Sequence, residues 1–498
     1  MPGTQGRRSR RHFGPSILAW QLLRAGATTT HRTDLPGGGI AGPADRPVGI
    51  LAALLAVAIA VGVACVARVC ARHEARRHAH ELAATGGLVK SQTLILQRAA
   101  FANRHLLPIY GSSELYCCGD PYRATQVFAS QPTGFDAFAV GQAGVANLLF
   151  LETFGALGDA LAGKKLVILN SPSWFNYGHG YRADAYVGNF SRVIAEEFVF
   201  DAPISSRLRE AGARRMLTYP ETLEGNVLLR LAVQALARPT QLHRVIYRAL
   251  APVGRLEAWV EESCDAVRTL LFIRRSEQQR THAPPRPARL DWIALAKRAT
   301  QLTAGHDTSN PFGFPDDTYD RMLQRKRIKA TVENALAAYR SGVSNHDGQL
   351  YPPPTDWQAR MTQSEEWSDL RLAISILREL GAQPFVWTMP LAGFYQDYTP
   401  LSAPVRDGYY ERWERVVGRT GAPWLDFRAE DEDQFFLTDT GGHLSPRGWV
   451  FADRALDMFW HGQSVDEIRD AVAELAAQVP PSTDAPAWDM VRGGEIPQ

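Results

Sequence analysis

Residues 106–110, "LLPIY", form a short apolar run that stops abruptly at Gly111-Ser112-Ser113-Glu114. A serine presented there stands at the carboxyl edge of a sheet, where open α/β proteins place their reactive groups. A hydroxyl is a poor nucleophile at its own pKa and needs an adjacent imidazole base, itself oriented by a carboxylate. Late in the chain, "FFLTDTGGHLSPRGWVFADRAL" supplies both types, with Asp439 and His443 in one short glycine-containing loop ahead of an amphipathic helix. Two further runs end in polar or flexible residues that belong at the same edge. "FAVGQAG" closes on Gly141 and Gly144, where a backbone N–H can meet an oxyanion. "LVILNSPSWF" closes on Asn170, Ser171, Ser173 and Trp174. Each piece taken singly is equally served by a tight turn or a helix N-cap.

These residues need a scaffold, and the pattern of the chain supplies one. Short strands at "RHLLPIY", "FDAFAVGQAG" and "KKLVILNSP", and a helix–Gly–strand succession in "SDLRLAISILRELGAQPFVWTMP", alternate with helical runs such as "GNVLLRLAVQALA". Strands alternating with helices predict a parallel α/β sheet with helices on both faces. Arg- and Pro-rich stretches break the pattern near 275–290 and again at 350–357, and roughly 205–345 reads as a mostly helical insertion in one α/β domain. The globular part runs from about 90 to 480, and residues 1–45, rich in Arg, Gly, Thr and Pro, read as a disordered tail.

Residues 48–67, "VGILAALLAVAIAVGVACVA", run twenty positions without a charge. At about 1.5 Å rise per residue that is enough to span a hydrocarbon core, so 46–70 reads as a transmembrane anchor. Arg68, Arg72, Arg76 and Arg77 come directly after it, and the positive-inside rule would place the large carboxyl-terminal part in the cytoplasm. Elsewhere the charge is nearly balanced, 54 Lys+Arg against 52 Asp+Glu, which gives no reason to invoke nucleic acid. Five cysteines in 498 residues are not a disulfide framework. "GDALAGKK" (158–165) has Lys165 where a phosphate loop needs Ser or Thr, and its glycines precede the strand. "HEARRH" (73–78) has the wrong spacing for a zinc helix and reads as a solvated basic helix. No cofactor or metal is expected.

Taken in order, "GSSEL", "SPSWF" with "AYVGNFS", "NPFGF", "PLAGFYQDYTPLSAPVRDGYYERW" and "HLSPRGW" resemble the DltD family, membrane-anchored SGNH hydrolase-like proteins of teichoic acid D-alanylation. They are scattered from about 106 to 455. The resemblance implies a flavodoxin-like sheet with Ser113 as nucleophile, Ser112 in the place of the wider class's Asp, His443 as base and Asp439 as orienting carboxylate. It also implies Gly144, Ser173 and Trp174 around the oxyanion and substrate. Three departures stand out. Ser445 replaces a glycine after the His-Leu pair, Ser173 replaces a glutamine, and the Asp439–His443 spacing is one residue longer. If the loop folds back, Asp431 or Asp433 are the substitutes for Asp439. The implied activity is D-alanyl ester transfer to a cell-envelope polymer such as lipoteichoic acid. The implied partners are a multi-pass membrane O-acyltransferase (DltB-like) and a D-alanyl carrier protein. The implied topology puts the amino terminus in the cytoplasm and the catalytic domain outside, against the flanking arginines. An SGNH esterase or thioesterase, or a non-catalytic assembly factor, are the alternatives.

Overall fold

The computed structural model describes residues 45–116, 121–130, 133–176, 183–238, 240–277, 290–303, 357–396, 401–433, 435–437 and 442–481. Strand-forming runs of six residues fix its centre. In chain order the principal elements begin with helices α1 (Asp45–Arg77) and α2 (Leu94–Ala102), then strands β1 (Leu106–Gly111) and β2 (Asp136–Gly141). Helix α3 (Asn147–Leu157) leads to β3 (Lys165–Asn170) and to α4 (Arg192–Phe200), α5 (Ser206–Met216), α6 (Val227–Ala237), α7 (Gln241–Glu277) and α8 (Trp292–Thr303). The chain closes with α9 (Glu366–Glu379), β4 (Gln383–Thr388), α10 (Ala403–Gly418), β5 (Trp424–Asp426), α11 (Pro446–Trp460) and α12 (Val465–Gln478).

The five strands form one sheet in the order β2-β1-β3-β4-β5, and every pairing is parallel. Successive side chains alternate across the sheet, and helices cover both faces. Tyr110, Phe138, Ile168 and Val386 enter the core cluster shared with α3, α4 and α9. Ile109, Ala139, Val167, Leu169 and Trp387 enter the opposite one, with α8, α11 and α12. Burial on both faces explains why these strands read as continuous apolar runs and not as alternating ones. The winding reverses between β1 and β3, because β2 lies on one side of β1 and β3 on the other. Loops leaving the carboxyl ends of β1 and β3 therefore diverge and leave a crevice, where ligands of doubly wound sheets bind.

Two compact units divide at Val61 and Gly62, and the second holds the sheet. Helix α1 contains one stretch, Leu51–Arg77, long and apolar enough to cross a membrane, with Leu51, Leu54, Val57 and Ile59 exposed. It is a candidate membrane span. The expectation of a solvated basic helix at 73–78 is corrected on one face. His78 is buried and meets Glu81 at 2.6 Å and Glu74 at 3.1 Å, while Arg72 pairs with Glu262 of α7 at 2.6 Å. His78 lies in the turn that follows the last residue of α1, where it is buried between the partly buried Glu74 of the helix and the more exposed Glu81. "GDALAGKK" also serves structure: the Lys165 ammonium donates to the carbonyls of Phe459 and Trp460, both at 2.9 Å, capping the end of α11.

Candidate active site

Strand β1 ends at Gly111 because a side chain there has no room. A Cβ would stand 2.8 Å from a Glu114 carboxylate oxygen and 2.9 Å from Leu115. Its register partner Gly141 is tighter still, since a Cβ on it would lie 2.1 Å from the Gly111 carbonyl oxygen. The two glycines let the ends of β1 and β2 close up, and the chain then enters a 3-10 turn, Ser113–Leu115.

The two serines of that turn have different partners. Ser112 is buried; its hydroxyl donates to the Gln142 carbonyl at 3.2 Å and accepts from the Gly144 N–H at 3.1 Å, tying the β1 turn to the β2 loop. Ser113 is half-buried, and its Oγ lies 2.9 Å from Nε2 of His443. Glu114 folds back so that its carboxylate accepts the Ser112 N–H at 2.5 Å, which holds the turn. Burial pushes the Glu114 carboxyl up to about 7, against the hydrogen bonds from the Ser112 and Glu114 N–H groups and the charge of nearby His443.

His443 is delivered by a loop braced on both sides. Leu437 and Leu444 form an antiparallel bridge, and the Ser445 N–H donates to the Phe436 carbonyl at 3.0 Å. Ser445, which stands where the resemblance implies glycine, has its own task. Its Oγ donates to the Phe435 carbonyl at 2.5 Å and caps α11 by accepting from the Gly448 N–H at 3.1 Å. Pro446 fills the first turn, where a missing N–H costs nothing. Gly448 admits no side chain, since a Cβ would sit 2.3 Å from the Phe436 carbonyl oxygen.

Neither substitute for Asp439 is available to the imidazole. The Asp433 carboxylate takes the buried Arg447 guanidinium at 2.6 Å and the Phe435 N–H at 2.8 Å. Asp431 accepts from the Tyr410 hydroxyl and from the Leu391 N–H, and faces Arg406. Asp439 itself lies outside the described residues.

Beyond β3, the hydroxyls of Ser171 and Ser173 are 2.7 Å apart. They line a cavity of about 140 Å³ with Met361, Leu391 and Gly442, the neighbour of His443. Gly442 has φ +98°, a left-handed conformation that glycine adopts without strain. Trp174 is buried and packs edge-on against Phe150 with ring centroids 6.0 Å apart, so its ring is part of the packing behind Ser173. The Gly144 N–H is held by Ser112, so its present use is to position that turn.

A network under the site had only a faint signal in the sequence, polar residues embedded in apolar runs. The Asn170 amide donates to Asn147 Oδ1 at 3.0 Å and accepts from the Trp413 indole at 3.3 Å. Asn147 in turn donates to Glu366 through its amide side chain at 2.9 Å and its N–H at 3.1 Å. Burial, and then the neighbouring Asp369 carboxylate, raise Glu366 above the usual carboxylate range. Asp369 is gripped by Arg215 through two hydrogen bonds of 2.7 and 2.9 Å. A well-connected buried network of this kind rigidifies what it supports, here the end of β3.

A parallel five-stranded sheet covered by helices on both faces, with a serine and a histidine 2.9 Å apart at its carboxyl edge, defines a doubly wound α/β protein. The family model described as DltD protein matches residues 87–461. The chain belongs to the DltD family, the family of the teichoic acid D-alanylation system. It is 27% identical over 371 residues to Protein DltD of Bacillus subtilis (strain 168), covering 74% of this chain and 86% of that one. It is similar to Protein DltD of Staphylococcus aureus (strain NCTC 8325 / PS 47) at 22% identity, over 76% of this chain and 86% of the relative. For Protein DltD of Lacticaseibacillus rhamnosus the identity is 24%, over 75% and 81%.

Proposed function

We propose that this chain is a membrane-anchored acyl-transfer protein that moves D-alanyl groups onto a cell-envelope polymer such as lipoteichoic acid through a covalent ester on Ser113. The observation that supports it is the 2.9 Å contact between Ser113 Oγ and His443 Nε2 at the crevice of the sheet, within the reach a nucleophile and its base require. His443 takes the hydroxyl proton as Oγ attacks the carbonyl carbon of an activated D-alanyl donor. Collapse of the tetrahedral species expels the donor's alcohol or thiol, which leaves with the proton from the imidazolium. A polymer hydroxyl, deprotonated by the same imidazole, then attacks the Ser113 ester and regenerates the serine. Asp439 orients the imidazole and stabilises its cation. Ser173 contributes a donor for the incoming substrate, with Trp174 fixing it from behind, while the Gly144 N–H stays on Ser112 and holds the turn that carries the nucleophile. The donor reaches the site through a carrier protein and a multi-pass membrane O-acyltransferase. In this reading the amino terminus is cytoplasmic and Ser113 faces the outer side.

The test uses full-length protein in membranes, a D-alanylated donor and purified lipoteichoic acid. Ser113→Ala should abolish transfer while leaving the thermal unfolding transition in place. Transfer at the wild-type rate by that variant would overturn the reading.

A further inference from the structure

The opposite end of the sheet carries a second feature. A cavity of about 410 Å³ is lined by Arg72 and Arg76 of α1, Arg98 of α2 and Lys164 just before β3, with Asp159 as the one carboxylate on its wall. Its floor is apolar, with Ile95, Ala99 and Phe101. Arg72 and Arg98 share Glu262, at 2.6 and 3.3 Å, and Arg68 joins them; Arg98 also faces Glu197 at 3.5 Å. The side chains of Arg76 and Lys164 make no hydrogen bond or ion pair among the described residues. Five cations therefore surround three carboxylates, a surplus of two positive charges held on separate elements around one hollow.

The place of this cavity along α1 gives the surplus a meaning. The apolar run ends at Ala67, so Arg72 and Arg76 lie about 8 and 14 Å of helix rise beyond it, at the outer edge of a headgroup layer and roughly 6 Å past it. Side chains on a helix lean toward its amino terminus, here toward the bilayer. Lys164 and Phe101 precede β3 and β1, whereas Ser113 comes after the end of β1. A strand of six residues, roughly 20 Å, separates the two, so this hollow is remote from the serine–histidine pair.

We propose that this cavity is a phosphodiester site that holds the headgroup of an anionic glycerophospholipid, with Arg76 and Lys164 on the phosphate oxygens and Ile95, Ala99 and Phe101 against the glycerol and first methylenes. It depends on α1 spanning the membrane and is independent of the Ser113 chemistry. Paired cations next to a bilayer surface attract anionic headgroups, and the apolar floor favours a lipid over a bare phosphate. It also gives the arginines beyond the anchor a folded-state use, since Arg68 and Arg72 are bound to Glu262 and Arg76 faces the hollow.

The experiment is native mass spectrometry of the full-length protein in an uncharged detergent, titrated separately with phosphatidylglycerol, phosphatidylcholine and a soluble glycerol phosphate oligomer. One phosphatidylglycerol should bind in preference to phosphatidylcholine, and Arg76→Ala with Lys164→Ala should weaken it by about tenfold or more. Arg76→Lys should retain it, which separates lost charge from a damaged fold. The double variant should still turn over a soluble model ester, so a failure here is distinguishable from a failure of the acyl-transfer reading. Equal binding of the two lipids, or unchanged binding by the double variant, overturns the proposal. So does Arg76- and Lys164-dependent binding of the oligomer without binding of phosphatidylglycerol.

Discussion

Adjacent serines on one turn receive different environments, and this difference is what selects Ser113. Its hydroxyl meets an imidazole, whereas the Ser112 hydroxyl is consumed by Gln142 and Gly144. Ser113→Ala and His443→Ala should each lower transfer by roughly three orders of magnitude or more, and the double variant should be little worse than either, because groups acting as a unit are not additive. Ser112→Ala should behave otherwise. It leaves the Gly144 N–H without its acceptor, at a cost of about 1–3 kcal/mol in stability. Displacing the turn slightly should reduce the rate by up to about a hundredfold. Denaturant titration together with the transfer assay separates the two patterns, and a Ser112→Ala variant as inactive as Ser113→Ala would reverse the assignment. The residue types at this edge were legible in the sequence, because apolar runs ending in Gly-Ser-Ser and Asn-Ser-Pro announce strand ends. Asp433, a sequence-level substitute for Asp439, instead holds a buried arginine. Asp433→Asn should therefore show up in stability, by about 3–5 kcal/mol as expected for breaking a buried pair.

Strand ends and caps do the positioning. Gly141→Ala would press a Cβ into the Gly111 carbonyl, and overpacking of this kind costs about 3 kcal/mol; activity should fall with it, since the β1 turn rides on that contact. Glu114 adds a pH dependence. The folded protein keeps its proton up to about pH 7, while the unfolded chain releases it near the ordinary value of 4.5. Its contribution to stability is therefore fully present below about 4.5, declines as pH rises through about 7, and is flat above. The decline is at most about 3 kcal/mol. Asp265 and Asp431, also raised to about 7 by burial, act in the same window. Denaturation midpoints measured between about pH 4.5 and 7.5 should fall with pH, and Glu114→Gln should flatten part of that slope; an unchanged slope would rule out this role. None of this could be read from the sequence. A glutamate after two serines suggests a cap, but its pKa comes from burial that only the closed turn creates. Ser445 was legible only as a departure, and the cap it makes depends on the folded loop.

Over the whole molecule, the alternation of strands and helices was sufficient to anticipate a parallel sheet covered on both faces. The strand order was not, because pairing of β3 with β4 joins residues far apart in the chain, Lys165 with Gln383 and Asn170 with Thr388. The candidate span in α1 was equally plain in the sequence, but its orientation was not. Charges beyond it argue for a cytoplasmic domain, yet Arg68 and Arg72 are engaged by Glu262. A cysteine-labelling reporter placed after Gln498 should react from the outer side of intact cells, and reaction only after permeabilisation would reverse the topology. Outer-face placement and serine chemistry meet in one measurement, capture of the acyl-enzyme. Full-length protein in membranes would be exposed to the D-alanylated donor without polymer, quenched in acid, digested and sequenced by mass spectrometry. The account predicts a D-alanyl ester on Ser113 that is discharged when lipoteichoic acid is added and is not formed by His443→Ala. A D-alanyl group carried on any other residue, or transfer to the polymer that proceeds with Ser113 replaced by alanine, would contradict it.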